Sequence, residues 1–217
     1  HQPRVYYRLG GFLAGLPTGV QLFAMFEAFP KLIDVLIDIV ASAPALAHYL
    51  SRNAQVFDAV IGGSFWDDWP GKEALCTELS NRLGTFSDYE ATLDATRRWS
   101  KEWHFRIGVH LLRGLSDAEV AAQQYGELAE AVIIGLWPEV VKHFSKKHGG
   151  SPGRGAVVMG MGSLGLGRLH SSSDLDLIVI YDAGDTEMSD GKRPLSSRQY
   201  YARLTQALVT AMSAPTA

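Results

Sequence analysis

From Pro17 to about Gly149 the apolar residues recur at intervals of three and four, and Gly and Pro fall mainly where one such segment would hand over to the next. That period puts apolar side chains on one face of a helix, so this part of the chain is expected to be all helical. Leu32, Val35, Leu36, Ile39 and Val40 form one stripe after Pro30, and Pro44 opens a segment carrying Leu46, Tyr49 and Leu50. A longer helix is expected to start near Ser87, whose hydroxyl would cap it with Glu90 three residues on, and to run through Trp99, Trp103, Arg106 and His110 towards Gly114. Ser116 and Glu119 repeat that capping pattern ahead of a helix carrying Val120, Leu128, Val132 and Leu136 on towards Val141 and His148. No heptad is sustained, which favours a bundle over a coiled coil.

At Gly149 the pattern breaks. Gly149 to Gly155 holds four glycines and a proline in seven residues, the composition of a linker or long turn. Ala156 to Gly162 then reads as a buried strand and Leu175 to Tyr181 as a second, both too short and too β-branched for helices. From Ser196 the helical period returns, with Tyr200, Leu204, Ala207, Leu208 and Ala211 on one face. The expected fold class is α followed by α/β: a helical bundle over residues 1–150, then a small α/β unit over 151–217.

Composition narrows the function classes. With 47% hydrophobic residues in a chain of 217, there is enough apolar surface to offset chain entropy, which excludes disorder. A net charge of -3 gives no field that would argue for nucleic acid or an anionic membrane as partner. Cys76 is the only cysteine, so there is no internal disulfide and no thiolate metal cluster, which fits a reducing, cytoplasmic setting. The run Leu32 to Ala47 is broken by Asp34, Asp38 and Pro44, short of the roughly 20 unbroken residues a bilayer demands, so no membrane span is expected. The opening His1, Gln2, Pro3 reads as the start of a piece of something longer.

The chemistry is concentrated in Gly160 to Asp182, GMGSLGLGRLHSSSDLDLIVIYD. On a strand Asp174 and Asp176 would share a face, with Cα atoms ~6 to 7 Å apart, so that both carboxylates converge on one cation or two neighbouring ones. Mg²⁺ takes one or two carboxylates and fills its remaining positions with water and substrate phosphate, which makes ATP with Mg²⁺ the natural occupant. Gly160, Gly162 and Gly165 let backbone approach a ligand closely, and amides at a turn into a helix attract anions, with the Ser163 hydroxyl beside them. Ser173 is a further candidate contact to nucleotide, although Ser172 and Ser173 also suit a plain turn. The stretch Gly160 to Gly165 also matches the dinucleotide fingerprint, with Asp182 near the required distance. That reading needs a parallel crossover helix where Leu166 to Asp174 carries a glycine and three serines, and it explains neither Asp174 nor Asp176.

Gly162-Ser163 followed by Asp174-x-Asp176 resembles the signature of the polymerase-beta-like nucleotidyltransferases, and within them GMGSLGLGRLHSSSDLDLIVIYD resembles the core motif of glutamine synthetase adenylyltransferases. The likeness extends to Ser189-Asp190-Gly191 and the helix RQYYARLTQALVTAMSAPTA, and more weakly to SAPALAHYLSRNAQVFDAVI and the Arg97-Arg98 helix. It implies a nucleotidyltransferase unit with a small mixed sheet, catalytic and metal-ligating Asp174 and Asp176, and a phosphate seat at Gly160, Gly162, Ser163 and Gly165. It implies Mg²⁺ and ATP, AMP transfer to a tyrosine of glutamine synthetase, and control by the PII signalling protein. Ser189-Asp190-Gly191 and the last helix resemble the adenylylating copy; the phosphorolytic, deadenylylating copy is the alternative, as is an inert fragment that only docks partners. Ser163 stands where the family commonly has Lys, and Leu166, Gly167 and Arg168 replace a Gly and a Glu. The family's third carboxylate is expected beyond Ala217, so this chain by itself is expected to bind nucleotide weakly and to be inactive.

Other features have plainer readings. His104, His110, His143 and His148 lack paired zinc spacing, and Lys142, Lys146, Lys147 and His148 form a basic helix end that complements the dipole. Trp66, Trp69, Trp99 and Trp103 are expected in the core.

Overall fold

A computed structural model describes Phe26, Glu27, residues 30–53, Val56 and residues 63–213. The helical expectation for residues 17–25, and the parts of the quoted segments at 54–55, 57–62 and 214–217, lie outside the described residues. By compactness the chain divides into two units, His1–Trp69 with Lys101–Ala121, and Pro70–Ser100 with Ala122–Ala217.

In the first unit, α1 (Lys31–Ser42) buries the stripe after Pro30. The residue before a proline is pushed out of the helical region. Ala43 accordingly breaks the chain at φ −133°, and Pro44 sits at the first position of α2 (Pro44–Arg52), where its missing N–H costs nothing. Leu32, Val35, Leu36, Ile39 and Leu50 pack with Val56, Phe65, Phe105 and Val109 in one apolar core. A single 3₁₀ turn, Gly63–Trp66, gives Phe65 to that core and leaves Trp66 42% exposed, so Trp66 is not the core residue expected. It stacks instead on His110, whose ring N–H donates to the Phe65 carbonyl at 2.7 Å. Burial pushes the His110 pKa down, against the smaller raising effect of that hydrogen bond. Arg106 lies over the Trp103 ring and donates to the Asp67 and Asp68 carbonyls.

The second unit holds α3 (Lys72–Leu83), and most of its remaining scaffold comes from two long helices, α4 (Tyr89–Leu112) and α5 (Ala118–His148), whose other ends belong to the first unit. Both long helices begin one residue later than expected, and their caps are carboxylates. Asp88 accepts the Ala91 amide and Asp117 the Val120 amide, each at 2.9 Å, while Ser116 Oγ is buried without a partner. Asp and Ser cap comparably well, but a carboxylate also complements the positive end of the helix dipole. With the caps at Asp88 and Asp117, Glu90 and Glu119 occupy the second helical position and cannot complete a capping box. Val120 at the start of α5 is exposed, and the buried stripe begins with Ala121 and Leu128. Trp99 is fully buried and donates to Glu78 at 2.7 Å. Among the described residues no helix is long and apolar enough to cross a membrane.

β1 (Gly155–Gly160), a single turn α6 (Gly162–Gly165), β2 (Leu177–Asp182) and α7 (Ser197–Ser213) complete the second unit. The strands pair antiparallel, Gly155 opposite Asp182 and Gly160 opposite Leu177, so among the described residues the sheet is a purely antiparallel pair rather than mixed. Ala156, Val158 and Leu177 lean on a core of Leu93, Leu136, Val140, Tyr200, Tyr201, Leu204, Leu208 and Ala211. Arg97 of α4 donates to the Ala211 carbonyl at the end of α7. The compact unit therefore reaches upstream of the Gly149–Gly155 turn: α4 and α5 lend Leu93, Leu136 and Val140 to the core shared with the strands and α7, and Leu79 of α3 lies against Gly135 of α5. Burial of each such side chain contributes ~1.5 to 3 kcal/mol. The opposite face of the sheet is open: Val157 is 59% exposed, and Met159, Ile178 and Ile180 are exposed beside it. The strands are thus half-buried, not the buried strands that their apolar composition suggests.

Candidate functional site

The site is built where β1 ends. Gly160 closes the strand, Gly162 turns with φ +51°, and the chain enters the single turn α6. Each glycine here answers to a close approach. A Cβ on Gly160 would stand 2.9 Å from Leu164 Cγ, and one on Gly165 would stand 2.8 Å from the Gly160 carbonyl oxygen. A Cβ on Gly162 would meet an Asp176 carboxylate oxygen at 3.0 Å. The glycine turn and Asp176 are thereby brought face to face, with no side chain between them.

Asp174 and Asp176 precede β2 instead of lying on it. Both strands are offset from the expected ranges: β1 stops at Gly160, and β2 begins at Leu177. Once Gly162 turns away there is no partner strand for residues 174 and 175, and Asp is a poor strand former in any case. The Met161 amide still donates to the Asp176 carbonyl at 2.8 Å, one bond beyond the ladder. Asp176 is thus fixed by its backbone at the mouth of the sheet. Both acids are exposed, and neither carboxylate accepts a hydrogen bond or ion pair from another described residue. Ser163 is exposed on α6, next to the turn. Ser173 Oγ accepts the His170 amide at 2.9 Å, which gives that hydroxyl a turn-forming role.

Two unpaired carboxylates beside a glycine turn repel each other unless a cation or positive dipole stands between them. Oxygen donors in this number fit Mg²⁺, which completes its shell with water and phosphate oxygens, and among the described residues no cluster of three or more His, Cys, Asp or Glu offers an all-protein metal cage. The antiparallel strands carry no parallel crossover, so the βαβ unit of a dinucleotide fold is absent among the described residues.

Two structural devices around the site escape a motif reading. Leu169 is buried, and its amide donates to the Ala122 carbonyl of α5 at 3.0 Å, so the loop after α6 is anchored on that helix. Asp190 and Gly191 tie a second turn to the end of α5: Asp190 accepts the Gly150 amide at 3.1 Å, and the Gly191 amide donates to the His148 carbonyl at 3.1 Å. The only sequence signals were a glycine inside a helical pattern, Gly126, and the Asp-Gly step itself.

At the end of the strand the Asp176 carboxylate stands against the Gly162 turn, and Asp174 lies exposed two residues before it. The chain belongs to the glutamate-ammonia ligase adenylyltransferase family, whose model matches residues 33–217. It is 39% identical over 211 residues to the bifunctional glutamine synthetase adenylyltransferase/adenylyl-removing enzyme of Brucella suis biovar 1, covering 97% of this chain and 22% of that protein. The enzymes of the same name from Agrobacterium fabrum and Xanthobacter autotrophicus are 40% and 39% identical, over 97% and 94% of this chain and 21% of each. The chain thus spans about a fifth of the length of these relatives.

Proposed function

We propose that this chain carries part of a nucleotidyltransferase that moves AMP from ATP to a tyrosine of glutamine synthetase, with residues 160–176 as the nucleotide seat. The observation that supports it most is the Asp176 carboxylate set against Gly162. A tyrosine oxygen would attack the α-phosphorus in line, the bond to the bridging oxygen would break, and pyrophosphate would depart. Asp174 and Asp176 would hold Mg²⁺, which when bound supplies charge neutralisation at the phosphates. Gly160, Gly162, Ser163 and Gly165 would receive the phosphates on backbone amides and one hydroxyl, a positioning role. The cytoplasm as compartment and the PII signalling protein as regulatory partner belong to the same proposal. The adenylyl-removing reaction is the second reading. It is favoured by the double name its relatives carry, and it would run through the same residues: phosphate would attack the phosphorus of tyrosine-bound AMP, the tyrosine oxygen would leave and take up a proton, and ADP would form.

Calorimetric titration with Mg²⁺ and a non-hydrolysable ATP analogue tests the seat, run beside the double variant Asp174→Asn, Asp176→Asn. Metal-dependent binding that weakens at least tenfold in the variant is expected. Binding indifferent to both substitutions, or no binding by the unaltered chain, overturns the assignment.

A further inference from the structure

We propose that Gly126, in the interior of α5, is a positioning residue for this site: by having no side chain it lets the loop between the glycine turn and the acids lie on the helix backbone, and so sets where Asp174 and Asp176 stand. The inference rests on the reading of residues 160–176 as a nucleotide seat. A glycine inside a helix weakens it relative to Ala, so its presence calls for a compensating close approach. Here that approach is explicit. A Cβ on Gly126 would fall inside contact distance of the Gly167 carbonyl oxygen, 2.6 Å from its carbonyl carbon and 3.2 Å from the Arg168 nitrogen. All three atoms are backbone, so no rotamer change relieves the clash. One turn earlier on the same helix, Ala122 accepts the Leu169 amide at 3.0 Å, and the Leu169 side chain is only 3% exposed.

Shape at Gly126 and a hydrogen bond at Ala122 therefore clamp residues 167–169. From that clamp the chain passes through the His170 to Ser173 turn straight to Asp174. So short a connection leaves little slack, and a displaced clamp displaces the acids relative to Gly162. Gly135, elsewhere in α5, makes a useful contrast. Its Cβ would meet Leu79 Cδ2 at 2.7 Å, the far end of a side chain on α3 and not the backbone of the loop that leads to the site.

The test compares Gly126→Ala, Leu169→Ala and Gly135→Ala with the unaltered chain. Its readouts are hydrogen exchange at the Leu169 amide, circular dichroism, and titration with Mg²⁺ and the non-hydrolysable ATP analogue. Gly126→Ala is expected to keep its helical signal, to exchange the Leu169 amide at least tenfold faster, and to bind at least tenfold more weakly. Gly135→Ala is expected to bind within twofold of the unaltered chain. Leu169→Ala releases the same clamp from the loop side, and its affinity decides the matter if Gly126→Ala does not fold. Faster exchange with unchanged affinity overturns the positioning role and leaves the nucleotide seat standing. Unchanged exchange in Gly126→Ala overturns the clamp itself. Absence of metal-dependent binding by the unaltered chain overturns the seat, and this inference with it.

Discussion

Two glycine-rich regions of the second unit use the same residue type for opposite ends. In the first, Gly149 and Gly150 lie against Asp190 and Gly191, Gly153 lies against Ala183, and several of the segment's backbone groups are bonded within the protein. Gly149 has φ +89° and could carry a Cβ only 2.9 Å from the Asp190 carbonyl carbon. Tyr200 donates to the Gly149 carbonyl at 2.9 Å, Tyr201 donates to the Pro152 carbonyl, and His148 donates to the Arg193 carbonyl at 2.7 Å. Amides of Gly191 and Arg193 satisfy the His148 and Lys147 carbonyls, the orphan acceptors at the end of α5. In the second region, Gly160 to Gly165, the close approaches lie within the turn and to Asp176, and the carboxylates of Asp174 and Asp176 are left to solvent. Close approach in one region closes a joint, and in the other it opens a cradle. Glycine content alone does not separate them; the partners of the neighbouring acids do.

The sharpest way to break this comparison is to put a methyl group in the joint. A Cβ on Gly191 would collide with the His148 backbone, its carbonyl oxygen at 2.6 Å, with no flexible side chain to yield. Gly191→Ala is expected to destabilise the second unit by about 3 kcal/mol, read by urea denaturation, while the Mg²⁺-dependent nucleotide affinity proposed for the seat is unchanged in the folded protein. Loss of affinity at full stability would show that the joint belongs to the site.

A gentler probe removes one hydroxyl. Tyr200→Phe leaves the ring in the core and the Gly149 carbonyl without its donor, an expected cost of about 1 kcal/mol. Alkali should do the same to the unaltered chain. Burial raises the pKa of both Tyr200 and Tyr201, and burial pushes Tyr125 up to about 12. The folded chain then holds these protons more tightly than the unfolded chain. The stability they confer is complete below about pH 10 and falls as pH rises through the folded values. Tyrosinate absorbance followed with thermal midpoints between pH 8 and 12 should show delayed ionisation and falling stability together. Titration like that of free tyrosine would contradict the burial.

Much of this was legible in the sequence, because period and spacing are local properties. The stripe of α1, the Tyr200, Leu204 and Leu208 face of α7, and the approach of Asp176 to Gly162 are all present in three dimensions. What failed was decided by pairing and competition that period and spacing do not record. The strands slipped by one or two residues because ladder pairing, not apolar content, ends a strand. The caps moved from Ser87 and Ser116 to Asp88 and Asp117 because adjacent residues compete for the same amides. The compact unit takes in residues 70–100 and 122–148, of which Leu93, Leu136 and Val140 share one core with α7 and the strands. The anchoring of Leu169 on Ala122 links residues far apart in sequence and leaves no pattern in either segment.

The smallest expected effect compares one acid from each region. Asp190 accepts the Gly150 amide at 3.1 Å, so Asp190→Ala removes a charge-assisted hydrogen bond at a partly open joint and should cost about 0.5 to 1 kcal/mol. The Asp176 carboxylate accepts nothing from the described residues and stands unpaired near Asp174. Asp176→Ala should therefore leave stability unchanged or slightly raised, since it relieves like-charge repulsion that the fold does nothing to offset. The gain should shrink with added salt, which screens exposed charges. Thermal midpoints of the two variants at low and high ionic strength measure the difference. A drop for Asp176→Ala as large as that for Asp190→Ala would mean that Asp176 braces the turn, and the distinction between joint and cradle would not hold.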